Sequence, residues 1–322
     1  MSLLKTGVVG VGHLGYHHAR TYAGLEHVEL AGVVDVDRGR AEKAGEDFGA
    51  AVCGSIGELV KLGVDAVSVA VPTTQHYGVV LELLKAGVDV LVEKPISATV
   101  GEGREMVAAA RGLGRVLQVG HIERFNGAVM ALMRFVKLPR FIECHRLSPY
   151  PSRGDDVSVV HDLMIHDLDL VLALVGTRAV QVDAVGVPVF SQYEDIANAR
   201  IRFESGCVAN LTCSRISVDR MRKIRVFEQD AYLSTDYSEQ EVLVYRKKPG
   251  RVEPGRSPME LVTVESLPVE REEPLKRELE SFVDCVRNGC RPVVSGEDGL
   301  AALELAQQVV DTARATRVRG SG

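Results

Sequence analysis

The sequence has no apolar run approaching the roughly 18 residues of a membrane span. It also has no CxxC pair, no HExxH and no GxSxG. These absences set aside a spanning helix, the common zinc sites and a serine-hydrolase elbow. The six cysteines, Cys53, Cys144, Cys207, Cys213, Cys285 and Cys290, are scattered. They read as free buried or half-buried thiols in a reducing compartment rather than as disulfides or metal ligands. A basic excess is missing as well: 38 Lys and Arg face 44 Asp and Glu, a net charge of −6. With a pI near 5.9, neither nucleic acid nor an anionic membrane surface is expected as the main partner. The first strand begins within a few residues of Met1, leaving no room for a cleaved signal peptide, so a cytoplasmic location is expected.

The chain does have the makings of two soluble domains: 322 residues, 46% apolar and 25% charged. Over the first 120 or so residues, short apolar strands alternate with helical stretches. Strands are expected at Thr6–Val9, Glu29–Asp35, Ala51–Val52, Ala66–Val71, Val88–Val92 and Val116–Val119, with helices between them. Near-continuous apolar strands alternating with helices indicate a doubly wound parallel sheet, an α/β fold with ligands beyond the strand carboxyl ends. The expected boundary puts a nucleotide-binding domain at 1–121 and an α+β domain at 122–322 with a large open mixed or antiparallel sheet.

The organising stretch is Gly7-Val8-Val9-Gly10-Val11-Gly12-His13-Leu14-Gly15. Gly10 permits the tight turn, Gly12 lets the backbone approach a pyrophosphate, and Gly15 lets the helix pack on the strand. The candidates for cofactor contact here are Gly10, Gly12, His13, Leu14 and Gly15. The next strand ends in Asp35, placed to bind an adenosine ribose hydroxyl, and Arg38 stands close by. Asp35 favours NAD because it repels a 2′-phosphate, while Arg38 leaves NADP open. Two further strand ends matter, Pro72-Thr73-Thr74-Gln75-His76 and Glu93-Lys94-Pro95. Pro72, Thr73, His76, Glu93 and Lys94 therefore join the cofactor set. Lys94 is also placed to hydrogen-bond a substrate hydroxyl.

Past Gly120 the pattern changes. A helix at Ala128–Lys137 precedes a strand at Arg140–Arg146, a polar loop from Ser148 to Asp156, and a helix from about Ser158 to Val175. From Val180 to Glu265 strands follow one another, and two helices, Pro274–Asn288 and Gly299–Thr316, close the chain. On the helix after Ser158, Asp162, His166 and Asp169 are spaced i, i+4, i+7 and form one polar stripe in an otherwise apolar element. Burying such groups is costly unless they are paired or used. Asp162 orienting His166 as a general base and a structural His–Asp pair stand as equal alternatives on this pattern. His161 and His166 point to different helix faces, so no metal site is expected. Arg124, Asn126, Tyr150 and Arg153 are candidates for a polar, anion-tolerant substrate pocket.

Taken together, the glycine turn, Val33-Val34-Asp35, Pro72 with His76, Glu93-Lys94-Pro95 and the Asp162/His166/Asp169 helix resemble the glucose–fructose oxidoreductase/inositol dehydrogenase (Gfo/Idh/MocA) family over essentially the whole chain. The resemblance implies a Rossmann domain followed by an open α/β domain, with cofactor and substrate meeting at the junction. It further implies that Lys94, Asp162 and His166 are the catalytic lysine, aspartate and histidine, with His166 accepting a hydroxyl proton while hydride passes to NAD. A narrower similarity lies in Gly120–Asn126, Arg146–Pro149 with Arg153, and Asp162–Asp169. These resemble the branch that oxidises the 3-hydroxyl of UDP-N-acetylglucosamine, with a small nucleotide sugar as substrate. Gly127 departs from that branch, where proline is expected. A free sugar or inositol dehydrogenase and a non-catalytic NAD-binding sensor are the alternatives. The resemblance and the open sheet both imply a homodimer or homotetramer.

Overall fold

A computed structural model describes residues 3–150, 157–250 and 257–319 of the chain. Two compact units divide it, Met1–Ile122 with Glu273–Leu303, and Glu123–Glu272 with Glu304–Gly322. The polar-loop candidate Arg153 lies outside the described residues.

The first unit alternates strand and helix throughout. In order these are β1 (Leu4–Val9), α1 (His13–Gly24), β2 (Val28–Val34), α2 (Arg38–Phe48), β3 (Ala51–Cys53), α3 (Ile56–Lys61), β4 (Ala66–Val69), α4 (Thr73–Lys85), β5 (Asp89–Glu93), α5 (Val100–Leu113) and β6 (Leu117–Gly120). The six strands run parallel in the order β3-β2-β1-β4-β5-β6. The order reverses between β1 and β4, and ligands of open α/β sheets sit at such a switch point. Strands β4 and β5 are almost wholly buried, which accounts for their unbroken apolar sequences. Helix α4 starts at Thr73, directly after Pro72, which supplies a preset φ of −55° at the N-cap.

The second unit is built on an eight-stranded mixed sheet. After α6 (Gly127–Phe135) and β7 (Phe141–Leu147) comes α7 (Ile165–Val175). Seven strands follow: β8 (Ala179–Val187), β9 (Ile196–Phe203), β10 (Val208–Ser214), β11 (Met221–Phe227), β12 (Ala231–Asp236), β13 (Glu241–Lys247) and β14 (Val262–Ser266). The sheet order is β14-β13-β12-β11-β7-β10-β9-β8, antiparallel except where β7 pairs with β10. Ala197, Ala199, Ile201 and Phe203 are buried while Asn198, Arg200 and Arg202 are exposed, as the alternation in β9 requires. The opposite face carries a cross-strand row, Phe141–Phe227–Tyr232–Tyr245, with ring centroids 5.5, 4.7 and 5.0 Å apart.

Two closing helices return to the first unit in part. Helix α8 (Pro274–Asn288) buries Leu275, Leu279 and Phe282 with Tyr22 and Val33 in the first unit's core. Helix α9 (Gly296–Arg319) begins earlier than the expected Gly299. A Cβ on Gly296 would lie 2.9 Å from Leu117, and one on Gly299 2.5 Å from Val119. These two glycines are what lets the helix seat against β6.

Candidate active site

The glycine turn works as its spacing suggests, but its three glycines have different reasons. Gly10 has φ +85°, and a Cβ there would lie 2.8 Å from the Ala70 carbonyl. A Cβ on Gly15 would overlap the Gly10 carbonyl oxygen. Both are demanded by the protein's own packing. A Cβ on Gly12, by contrast, would meet only Arg40 Nη1, at 3.7 Å. Nothing among the described residues forbids a side chain at residue 12, so its bareness suits a ligand.

Helix caps make the same point. Asp37, Ser55 and Thr99 cap α2, α3 and α5 with their side chains. Helices α1 and α4, which follow the strands flanking the switch point, have Gly12 and Pro72 at the N-cap and no side-chain cap. Their first-turn amides keep the partial positive charge that holds a diphosphate. His13 and Leu14 are exposed at the start of α1. The Asp35 carboxylate accepts hydrogen bonds from the amides of Val11 (2.7 Å) and Asp37 (2.8 Å), which fixes it beside the turn. The arginine nearest Gly12 is Arg40, held by Asp37 at 3.2 Å, whereas Arg38 is exposed and paired with Glu42. These residues fit a dinucleotide.

Lys94 lies half-buried just beyond β5, and the Lys94–Pro95 peptide is cis. Behind it, Glu93 Oε1 is 3.0 Å from His18 Nε2, and Glu93 Oε2 accepts the Lys94 amide at 3.2 Å. Burial pushes the Glu93 carboxyl up, but His18 and Lys94 outweigh it and keep it below its usual range. Gly120 makes room, since a Cβ there would lie 3.0 Å from Glu93 Oε2. Glu93 is thus engaged within the protein, under the turn that carries Lys94. His76 is buried, with Nδ1 2.9 Å from the Pro95 carbonyl and Nε2 3.0 Å from that of Val71. It ties the Lys94 turn to the end of β4, and burial lowers its basicity. On α8, Glu278 is fully buried, both carboxyl oxygens lacking a hydrogen-bond partner among the described residues. Burial first, and the Glu93 charge second, push its pKa well above the carboxylate range.

In the second unit, Val160–Met164 form a π-helical turn that leads directly into α7. Single wide turns of this kind recur at functional sites. Asp162 lies within the turn and His166 just after it, both half-buried. Asp169 departs from the expected stripe. It accepts Arg124 Nε at 2.6 Å and Nη2 at 2.9 Å in a buried bidentate pair. Asp167 does likewise with Arg146 (2.9 and 3.0 Å), and Arg146 also reaches Glu123 at 2.9 Å. Arg146 shares the buried phase of β7 with Ile142 and Cys144, a strand alternation that in hindsight marks a buried cation. Arg124 therefore has its fork committed to α7. Asn126 is engaged on both sides, its Oδ1 capping α6 at Ala128 and its Nδ2 donating to the Tyr237 carbonyl. Tyr150 is exposed and packs edge-on against Phe190, with ring centroids 5.5 Å apart. Gly127 has a packing reason: a Cβ there would overlap the Glu270 carbonyl oxygen.

Residues 4–121 match the model of an oxidoreductase family with an NAD-binding Rossmann fold, and residues 146–318 match that family's C-terminal alpha/beta domain. The chain belongs to the Gfo/Idh/MocA oxidoreductase family. Within Gfo/Idh/MocA, UDP-N-acetylglucosamine 3-dehydrogenase from Acidithiobacillus ferrooxidans is 37% identical over 308 residues, 95% of this chain and 96% of that one. Scyllo-inositol 2-dehydrogenase (NAD(+)) from Bacillus subtilis is 25% identical over 323 residues, 94% of this chain and 92% of the other. A solved structure of the Acidithiobacillus protein superposes with a TM-score of 0.90 at 34% identity, covering 98% of this chain and 99% of its own. A putative myo-inositol dehydrogenase from Sinorhizobium meliloti shares the fold at a TM-score of 0.81 and 22% identity. This Gfo/Idh/MocA member is an oxidoreductase with an NAD-binding Rossmann fold, and no described helix is long and apolar enough to cross a membrane.

Proposed function

We propose that the chain oxidises the 3-hydroxyl of UDP-N-acetylglucosamine, or of a close UDP-amino sugar, to the 3-keto sugar, using NAD. The observation that carries this reading is the end-to-end similarity to UDP-N-acetylglucosamine 3-dehydrogenase, 37% over 95% of the chain against 25% for the inositol enzyme. The choice of NAD over NADP rests on Asp35, whose anchored carboxylate repels a 2′-phosphate. A cytoplasmic location and a homo-oligomer go with this reading.

The first-turn amides of α1 and α4 hold the cofactor diphosphate, with Gly12 allowing close approach. A nicotinamide cofactor held there would supply the hydride acceptor for the substrate carbon. The His166 imidazole accepts the proton from the hydroxyl oxygen on that carbon, and Asp162 orients the ring and balances the charge it gains. The Lys94 ammonium hydrogen-bonds the same oxygen and stabilises the negative charge that builds on it. Tyr150 and Arg153 are the proposed contacts to the nucleotide sugar. Arg124 contributes by bracing the helix that carries His166, and the same holds for the Arg146–Asp167 pair.

The test is NADH formation by the purified protein with UDP-N-acetylglucosamine, N-acetylglucosamine and myo-inositol in parallel, with a ketone trap to draw off product. Turnover confined to the UDP-amino sugar supports the proposal. Turnover on free polyols would replace the substrate and keep the chemistry, and no turnover on any of them would leave an NAD-binding sensor.

A further inference from the structure

The first unit holds a pair of adjoining thiols that the proposed reaction does not use. Helix α8 ends at Asn288, and Gly289 follows in the left-handed conformation, φ +60°. The amides of Gly289 and Cys290 both return to the carbonyl of Cys285, the latter at 3.2 Å. Such a cap brings together two side chains five residues apart, a contact that is usually apolar. Here both are cysteines, and their sulfurs are 2.8 Å apart, against ~2.05 Å for a disulfide bond. Cys285 is buried at 4% exposure, with its thiol also donating to the Arg291 carbonyl at 3.5 Å. Cys290 is exposed and lines a cavity of about 530 Å³, together with Arg111, Arg115 and Arg291.

We propose that Cys290 is an oxidant-reactive thiol and Cys285 its resolving partner, so that the pair interconverts between dithiol and disulfide. The division of roles follows from access. Cys290 is exposed at the cavity, where Arg111 pairs with Glu297 at 2.9 Å and Arg291 with Asp298 at 3.4 Å, while Cys285 is buried. Burial, and then the neighbouring Cys290, push the Cys285 thiol up to about 12, so Cys285 enters the reaction second. With a small disulfide as oxidant, the Cys290 thiolate attacks one of its sulfurs and expels the first reagent thiolate, leaving a mixed disulfide. Cys285 then gives up its proton to that thiolate and attacks Cys290 Sγ, expelling the second. The pair loses two electrons and two protons, and one reagent disulfide becomes two thiols. A reactive thiol beside a resolving one is also spared further oxidation.

The experiment uses the full-length protein with oxidised glutathione as probe. Cleavage after Arg287, which lies between them, puts Cys285 and Cys290 on separate peptides. The expected result is that these two peptides become joined, that the intact protein loses two hydrogens, and that dithiothreitol reverses both. Cys285→Ser is expected to stop at one glutathione on Cys290, and Cys290→Ser to remain unmodified at residue 285. A wild-type protein that keeps glutathione on Cys290 while Cys285 stays open to alkylation would overturn the proposal. So would reaction at the other four cysteines before this pair.

Discussion

A side chain on Gly15 would overlap the carbonyl oxygen of Gly10, while residue 12, between them, has room for one. The same motif thus contains two glycines that the fold requires and one, Gly12, that is the proposed point of ligand approach. Gly15→Ala is expected to yield insoluble or strongly destabilised protein. Gly12→Ala should keep the wild-type melting temperature and lose about tenfold or more in NAD affinity, ~1.4 kcal/mol. Calorimetry of unfolding and of binding reads the two effects separately, and equal melting losses in both variants would refute the distinction.

Asp35, anchored by the amides of Val11 and Asp37, and Arg40, 3.7 Å from where a Cβ on residue 12 would lie, are the proposed determinants of cofactor preference. Asp35→Ala is expected to weaken NAD binding while improving NADP relative to it. In that background Arg40→Ala should remove the NADP gain, whereas Arg38→Ala should not, because Arg38 is turned to Glu42. Titration of each cofactor against the three variants decides it, and an NAD affinity unchanged by Asp35→Ala counts against the ribose role.

Replacing Lys94 or His166 by alanine should reduce kcat by roughly 10²-fold or more, as expected for loss of proton-transfer or electrostatic help. NAD affinity should survive in His166→Ala, since His166 belongs to the second unit. Wild-type turnover in both variants would remove the mechanism.

Glu278 should make stability depend on pH. Its folded pKa is raised, so the folded protein keeps a proton on it that the unfolded chain releases above ~4.3. Over the interval between those two values the unfolded state binds fewer protons, and stability falls as pH rises. Glu278→Gln, which cannot ionise, is expected to raise the melting temperature at pH 8 by about 2 °C or more relative to wild type. That advantage should shrink towards pH 5. A constant difference across this range would mean that Glu278 is not held protonated.

The aromatic row Phe141–Phe227–Tyr232–Tyr245 lies on the sheet face opposite the buried residues of the same strands. Covering it with a second copy is the expected solution. Light scattering at micromolar concentration should find a dimer or tetramer, and Tyr232→Glu should shift it towards smaller species. A monomeric wild type would exclude this use of the face.

Local rules in the sequence carried much of this protein. The alternation of buried strands with helices, the glycine turn, Asp35 at the end of β2 and the hairpin β9–β10 all depend on residues near one another in the chain. One helix was legible to the residue, α8, while α9 begins at Gly296 rather than at the expected Gly299. What tertiary structure alone decided was the employment of polar groups. Arg124 and Asn126 look available for a ligand because a sequence shows a donor but not its partner. Folding assigns them to Asp169, Ala128 and Tyr237. Glu93 and His76 are likewise spent on bracing the Lys94 turn, Glu93 through His18, 75 residues away, and His76 through the Pro95 carbonyl, 19 residues away. The raised pKa of the buried Glu278 carboxyl has the same origin. Hydrogen bonding, desolvation and close approach depend on distances across the fold, and periodicity along a chain carries only the neighbours that a helix or strand brings together.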